Sequence, residues 1–378
     1  MRIPFVDLQG QIRAMRREIE HSFQRVLQNP SFILGREVEL FEKEFAKYCG
    51  AQYCVAVNSG TSALHLALLA HGVGSGDEVI TQPNTYIATA EAISYTGAKP
   101  VFVDVDPGAY TIDISKIEKA MSPRTKAVIP VHLYGNATDM DKLSPIAKKH
   151  GLAVIEDACQ AHGTTYKGRK IGSLGNTTCF SFYPSKVLGA YGEGGAVITK
   201  SKDIYEKIQI LRNHGQAKKN QHIIIGYNYR MQEFQAAFLR AKLKHLDQWI
   251  KMRRRSAQLY NKLLSGMEAH ITIAEEPSYS RSSFYVYAVR CRNRDKLMNY
   301  LAKNGVQIQV HYPTPIHLQR AYRFLGFKKG DFPIAEKQAK EIISLPMYPE
   351  LRERQIKYVA EQIKEFYGSK HISHRSSV

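Results

Sequence analysis

Short apolar runs at residues 53–57, 78–81, 101–105, 127–131, 152–155 and 179–183 alternate with helical stretches at 63–69, 87–95, 114–121 and 140–150. Each run is short for a helix and apolar at nearly every position, as in a strand covered on both faces. Strands joined through helices in this rhythm make an α/β layer structure with a mostly parallel sheet. The alternation also says where a ligand belongs, because open α/β sheets bind beyond the carboxyl ends of their strands.

The residues just beyond those strand ends are chemically pointed. Run 53–57 passes into Asn58-Ser59-Gly60-Thr61-Ser62 and then directly into a helix. A strand, a glycine-hydroxyl turn and a helix start together present unpaired backbone N–H groups to an anion. Ser59 or Thr61 can cap the same helix without conflict. The segment is not a Walker loop, since G-x-x-x-x-G-K-[ST] is missing. Tyr86 comes after the second run, and Asp157 comes after Glu156 at the end of 152–155. Run 179–183 stops at Pro184, Lys186 comes two residues later, and Gly189, Gly192, Gly194 and Gly195 crowd the next turn. Glycines allow close approach of the main chain to another body, and a lysine held there away from water is a candidate nucleophilic amine.

An anion-ready helix start, an aromatic ring, a carboxylate and a lysine on one sheet edge match pyridoxal 5′-phosphate. The lysine forms the Schiff base, the acid keeps the pyridine nitrogen protonated, the helix takes the phosphate and the aromatic ring covers the cofactor face. Asp157 as a metal ligand finds no support, because no second carboxylate beyond the adjacent Glu156 has ligand spacing.

Outside this core, residues 11–28 and 36–48 have helical periodicity, 204–211 looks helical, and 213–229 reads as a long loop. Residues 231–264 read as one long helix bridging to a second domain. Strands at 284–289 and 306–310 and helices at 294–304 and 352–367 complete it. The expected division is a large domain over 1–250 and a smaller C-terminal domain over 251–378, with a disordered tail from about 369.

Composition narrows the function classes. The chain has 378 residues, 44% hydrophobic and 23% charged, without an apolar stretch long enough for a membrane span and without the apolar core of a signal peptide. Its five cysteines form no C-x-x-C pair, so neither a disulfide framework nor a metal site is expected, and a reduced, cytoplasmic protein is. The net charge of +19 is spread along the chain. The densest run, 251–255, reads as the solvated face of the long helix, and with no recognition motif present no nucleic-acid partner is expected.

Four segments carry a family resemblance: Asn58-Ser59-Gly60-Thr61-Ser62-Ala63-Leu64, Glu156-Asp157-Ala158-Cys159-Gln160-Ala161-His162-Gly163, Ser181-Phe182-Tyr183-Pro184-Ser185-Lys186 and Gly226-Tyr227-Asn228-Tyr229-Arg230-Met231. From about residue 4 to 367 the chain resembles the DegT/StrS group of sugar aminotransferases, fold-type I pyridoxal-phosphate enzymes. The resemblance implies a seven-stranded, mostly parallel sheet in the large domain and a smaller α+β domain. It implies that Lys186 forms the Schiff base and shuttles the proton, that Asp157 pairs with the pyridinium nitrogen, that Gln160 lies near the ring hydroxyl and that Tyr86 stacks on the ring. Gly60, Thr61 and Ser181 would hold the phosphate. Asn228 would reach the phosphate of the neighbouring subunit, which makes the partner a second copy in a homodimer with composite sites.

Segment 311–319 resembles most the branch that aminates C3 of dTDP-3-keto-6-deoxyhexoses, with glutamate as donor and 2-oxoglutarate as co-product. His162, Tyr183, His311 and Tyr312 are candidate sugar contacts. Cys159 stands where alanine is common and Val187 where asparagine or proline is common, and neither change removes a reactive group. Lys186 itself argues against the related dehydratases, in which histidine replaces the lysine. Amination at C4, amination of a 3-keto-N-acetylhexosaminuronate nucleotide, and a non-catalytic regulatory protein of the same fold are the competing readings.

Overall fold

A computed structural model of the chain describes residues 1–368, so the expected disordered tail lies outside the described residues. The central sheet has seven strands, numbered here along the chain as β1 (Tyr53–Val57), β2 (Glu78–Thr81), β3 (Lys99–Phe102), β4 (Thr125–Val128), β5 (Ala153–Asp157), β6 (Thr177–Ser181) and β7 (Gly195–Thr199). Their spatial order is β1-β7-β6-β5-β4-β2-β3, with β7 antiparallel to both neighbours and every other pairing parallel. This is the expected mostly parallel α/β sheet.

Both faces are covered, which explains the near-continuous apolar strands. On one face the helix Gly60–Ala70 sends Leu64, Leu66, Ala67 and Leu68 into a cluster with Val55, Val79, Ile155 and Val197. On the other, the helix Arg36–Cys49 places Phe41 and Phe45 against Phe180 and Phe182, with Phe45 edge-on to both rings at centroid distances of 5.1 and 5.2 Å. Such edge-to-face pairs contribute about 0.5–1.5 kcal/mol beyond area burial. They brace the strand that delivers Lys186.

Register fixes the sheet edge that matters. Gly195 lies opposite both Val57 and Ser181. Its position directly under the Ser59–Gly60 turn tolerates no side chain: a Cβ there would fall 2.2 Å from the Ser59 carbonyl oxygen. The glycine turn after Lys186 is therefore partly a packing requirement of the neighbouring helix start.

The long helix expected over 231–264 is two helices, Glu233–Leu243 and Leu246–Leu264. Between them the backbone tightens, with His245 N–H bonding to Lys242 C=O at 3.0 Å, and the His245 ring is held by Glu18 at 2.9 Å. The second helix enters the C-terminal core, where Ala257, Tyr260 and Leu264 pack with the antiparallel strands Ile271–Ile273, Tyr287–Cys291 and Ile342–Leu345. Ile3 is buried in the same core and exchanges backbone hydrogen bonds with Gly305 and Gln307, so the chain's first residues pack there too. Residues 306–310 form isolated bridges to Ile3 and Ser344 instead of the expected strand. The 213–229 loop contains a small hairpin, Gln216–Lys218 with Gln221–His222. Residues 316–335 fold back onto the large sheet, where Asp104 accepts hydrogen bonds from the N–H groups of Ile334 and Ala335 at the start of the helix Pro333–Glu341.

Candidate active site

At the amino end of the helix Gly60–Ala70, the Ser59 hydroxyl accepts from Ser62 N–H at 3.0 Å and the Ser59 carbonyl accepts from Ala63 N–H at 3.1 Å. Those bonds satisfy two of the first four N–H groups of the helix. Among the described residues the Gly60 and Thr61 N–H groups are left without an acceptor, as the first turn of a helix leaves them. Gly60 packs so tightly on β6 that a Cβ would lie 2.6 Å from Ser181 Cβ and 3.0 Å from Cys159 Sγ. Gly60, Thr61 and Ser181 thus share one corner, with donors and no competing side chain: a cradle suited to a phosphate.

Asp157 ends β5. Its carboxylate is 4% exposed, accepts the Thr89 hydroxyl at 2.8 Å through Oδ2 and the Cys159 N–H at 3.1 Å through Oδ1, and has no ion-pair partner among the described residues. A buried carboxylate is normally paired with a cation. The site supplies it hydrogen bonds and leaves its charge available. Cys159 lies between the parts: burial and Asp157 raise its thiol pKa, and Lys186 opposes that rise. One thiol therefore senses Asp157 and Lys186 and touches the Gly60 corner.

Lys186 comes after β6 in a tight turn closed by its own N–H to the Tyr183 carbonyl at 2.9 Å. Its ammonium stands 4.4 Å from the centroid of the Tyr285 ring, and among the described residues it has no ion-pair partner. The turn beyond is held by Lys242, 1% exposed, which donates to Gly189 C=O at 2.7 Å and stands 3.8 Å over the Tyr191 ring. Arg253 is also buried, 3% exposed, and donates through Nη1 to the carbonyls of Phe284, Tyr285 and Met347 at 3.1, 3.2 and 2.9 Å. That corrects the reading of 251–255 as a solvated face: Arg253 points inward and ties the Tyr285 segment down.

Gln160, His311 and Tyr312 are joined through Tyr134. Gln160 accepts from Tyr134 N–H at 2.9 Å and donates to the Tyr312 hydroxyl at 3.0 Å, while the Tyr134 hydroxyl donates to the His311 carbonyl. Tyr86, 57% exposed, leans on Tyr312 at a centroid distance of 5.6 Å. The His311 imidazole turns away to the Ser344 hydroxyl at 2.8 Å and stacks on Phe5 at 5.7 Å. Burial, with Lys186 nearby, pushes its pKa down to about 4. Tyr183 is half exposed.

His162 is 0% exposed, wedged against Phe180 and Phe182, and burial followed by Lys186 lowers its pKa to about 3. The neutral ring packs the strand that leads to Lys186. Asn228 is exposed, with its side-chain carbonyl accepting from Arg230 at 2.8 and 3.0 Å. Its backbone carbonyl accepts from the Asn58 side chain at 3.4 Å, just before the Ser59–Gly60 turn.

The set fits pyridoxal phosphate: a donor cradle that a Cβ would fill, a buried carboxylate lacking a cation, and an amine lacking an anion. Thr89, Tyr134, Arg253 and Tyr285 had no sequence motif to announce them. For Arg253 helical spacing was the available signal, since it falls four residues from the buried Trp249 and Ala257.

The chain belongs to the DegT/DnrJ/EryC1/StrS aminotransferase family, whose model matches residues 13–364. It is 42% identical over 365 residues to the dTDP-3-amino-3,4,6-trideoxy-alpha-D-glucose transaminase of Streptomyces venezuelae, a match covering 97% of this chain and 96% of that one. It is 45% identical over 368 residues to a protein of Geobacillus stearothermophilus named a pleiotropic regulatory protein, covering 97% and 99%. The crystal structure of S. venezuelae DesV in complex with a ketimine intermediate superposes with a TM-score of 0.95 at 42% identity, covering 97% of this chain and 98% of that one. The expected family, fold class and pyridoxal-phosphate dependence are borne out.

Proposed function

We propose that this chain transfers the amino group of glutamate to C3 of a nucleotide-linked 3-keto-6-deoxyhexose, most closely a dTDP sugar, releasing 2-oxoglutarate and an amino-sugar nucleotide. The observation that carries the reading is the convergence on Cys159 of Asp157, Lys186 and the Gly60 corner. Bound pyridoxal phosphate supplies the electron sink that makes a carbon-bound hydrogen of donor and acceptor labile.

The protein supplies the rest. Gly60 N–H, Thr61 N–H and the Ser181 hydroxyl hold the phosphate. Asp157, oriented by Thr89 and the Cys159 N–H, would hold the proton on the ring nitrogen. Tyr86 would cover the ring face and Gln160 would meet the ring hydroxyl. Lys186 Nζ would anchor the cofactor covalently and, once free, would carry a proton between the two carbons. His162 and His311 are neutral near pH 7, so neither sets a competing positive charge beside Lys186. Tyr312 and Tyr183 line the sugar side.

The second copy completes the site. Support comes from Asn228, exposed on a segment next to Ile223, Ile224 and Ile225, which are 62%, 45% and 92% exposed, and from the exposed apolar group Phe23, Leu27, Phe32 and Ile33. Phe23 and Phe32 both stack on Phe234, so that group forms one patch, and exposed apolar patches mark association sites. Mixing Lys186→Ala with Asn228→Ala chains tests it: composite sites restore activity in the hybrid, and separate sites do not.

A regulatory role, raised by the name of the Geobacillus relative, gives no purpose to a buried carboxylate and a lysine that have no ion-pair partner among the described residues. The test is direct. The purified protein absorbs in the visible range, borohydride fixes the cofactor on Lys186, and Lys186→Ala abolishes both. A protein that stays colourless with added pyridoxal phosphate overturns the enzyme reading. Glutamate with a panel of keto-sugar nucleotides then separates C3 from C4 amination and from a hexosaminuronate substrate.

A further inference from the structure

We infer that the Tyr285 ring is the resting platform of the Lys186 amine: a positioning residue that holds the unattached lysine as an ammonium and keeps it aimed at the reacting centre. The inference rests on Lys186 being the reacting amine, and it concerns a residue that no motif marks.

The geometry is specific to this ring. Lys186 Nζ lies 4.4 Å from its centroid, and the Tyr285 hydroxyl is 3.3 Å from Ser185 Oγ, one residue before the lysine. The same side chain thus touches both the ammonium and the turn that carries it. The ring cannot drift, because its backbone is held from two sides. Tyr285 N–H donates to the Tyr134 carbonyl at 3.1 Å, and the Tyr285 carbonyl accepts from Arg253 at 3.2 Å. Tyr134 is the residue already bonded to Gln160 and His311. The platform is therefore built into the network that shapes the sugar side.

An aromatic face attracts a cation through its quadrupole, and more strongly in a desolvated setting. The groups around Lys186 make that face count. Asp157 and Cys159 lie at the end of β5, His162 in the turn after it, His311 and Tyr312 on the returning segment, and Arg253 on the helix behind. Both histidines are neutral, and Asp157 is engaged with Thr89 and the Cys159 N–H. Among the described residues the Tyr285 ring face, 4.4 Å from Nζ, is the aromatic contact of the ammonium. A lysine that must give up and regain its attachment in each turnover needs such a parking position, or its four-carbon stem samples unproductive rotamers.

The test uses cofactor-free protein. An amine-directed acylating reagent is applied across a pH series, and mass spectrometry reads the pH of half-maximal labelling at Lys186. Access changes the amplitude, whereas loss of the face moves the midpoint. Tyr285→Leu, or a ring-fluorinated phenylalanine at 285 that keeps the shape and should fold where leucine does not, shifts the midpoint down by roughly 0.5–1 pH unit, about three- to ten-fold faster labelling at a fixed lower pH. Tyr285→Phe keeps the face and labels as the parent does. An unmoved midpoint in the fluorinated variant overturns the inference. So does a Tyr285→Phe shift as large as that of the fluorinated ring, since it assigns the effect to the hydroxyl bond with Ser185. Borohydride fixation on the parent is scored separately, so failure of the cofactor reading and failure of the platform are distinguishable.

Discussion

Thr89 donates its hydroxyl hydrogen to Asp157 Oδ2 across 2.8 Å, and both side chains are buried. The bond crosses from the helix Ala88–Tyr95 to the end of β5, so it fixes the carboxylate without neutralising it. Hydrogen bonds to charged groups contribute about 1.5–3 kcal/mol, so Thr89→Val should weaken cofactor binding and kcat/KM by about ten- to a hundred-fold. Thr89→Ser, which keeps the hydroxyl, should recover most of the loss. Titration of the cofactor by absorbance checks both, and equal defects in the two variants would refute the role of the bond.

Gly195 is the second fixed point. A methyl group there meets backbone, the Ser59 carbonyl at 2.2 Å and Gly60 N at 2.8 Å, and neither can swing aside as a flexible side chain would. Gly195→Ala should cost about 1–3 kcal/mol in urea unfolding, as overpacked cores do. It should also weaken cofactor binding, because the turn it displaces carries the proposed phosphate donors. Gly74 has open space around its missing Cβ, and Gly74→Ala should change stability by no more than about 0.5 kcal/mol.

Lys186, Asp157 and Gly60 were legible in the sequence because each stands just past an apolar run, and the parallel sheet lines up such ends. Tyr285 was not, because it sits inside an apolar run that reads only as strand. Arg253 was misread for the opposite reason, since a dense charge run masks the one member on the buried face. The break at Lys244–His245 carries no proline or glycine. The His245 ring pairs there with Glu18, a tertiary contact that local spacing cannot report. Ile3 in the C-terminal core is of the same kind, a pairing with Val306 some three hundred residues away.

Lys242 gives a pH signature. Burial lowers its pKa to about 7, with Glu350 opposing the shift, against an unfolded value of about 10.4. Between those values the unfolded chain binds the extra proton, so the native state gains stability as pH rises from about 7 and loses it as pH falls back. Lys242→Met should remove that slope, up to about 1.4 kcal/mol per pH unit in the difference between the two proteins. Urea unfolding of both at pH 7 and pH 9 measures it. The variant should also loosen the Gly189 turn and slow the reaction, since the side-chain nitrogen is what holds that carbonyl.

His162 separates packing from substrate contact. Its folded pKa, pushed down to about 3 by burial and Lys186, lies below the unfolded value of about 6.5. The stability tied to the neutral ring is complete above pH 6.5 and is lost as pH falls towards 3. His162→Phe keeps an apolar ring between Phe180 and Phe182, so it should flatten the acid side of the stability profile. KM for the sugar nucleotide should stay within about two-fold of the parent, because the ring has no exposed surface in this structure. A KM raised ten-fold with unchanged stability at pH 5 would return His162 to the sugar side and require the strand to open around it.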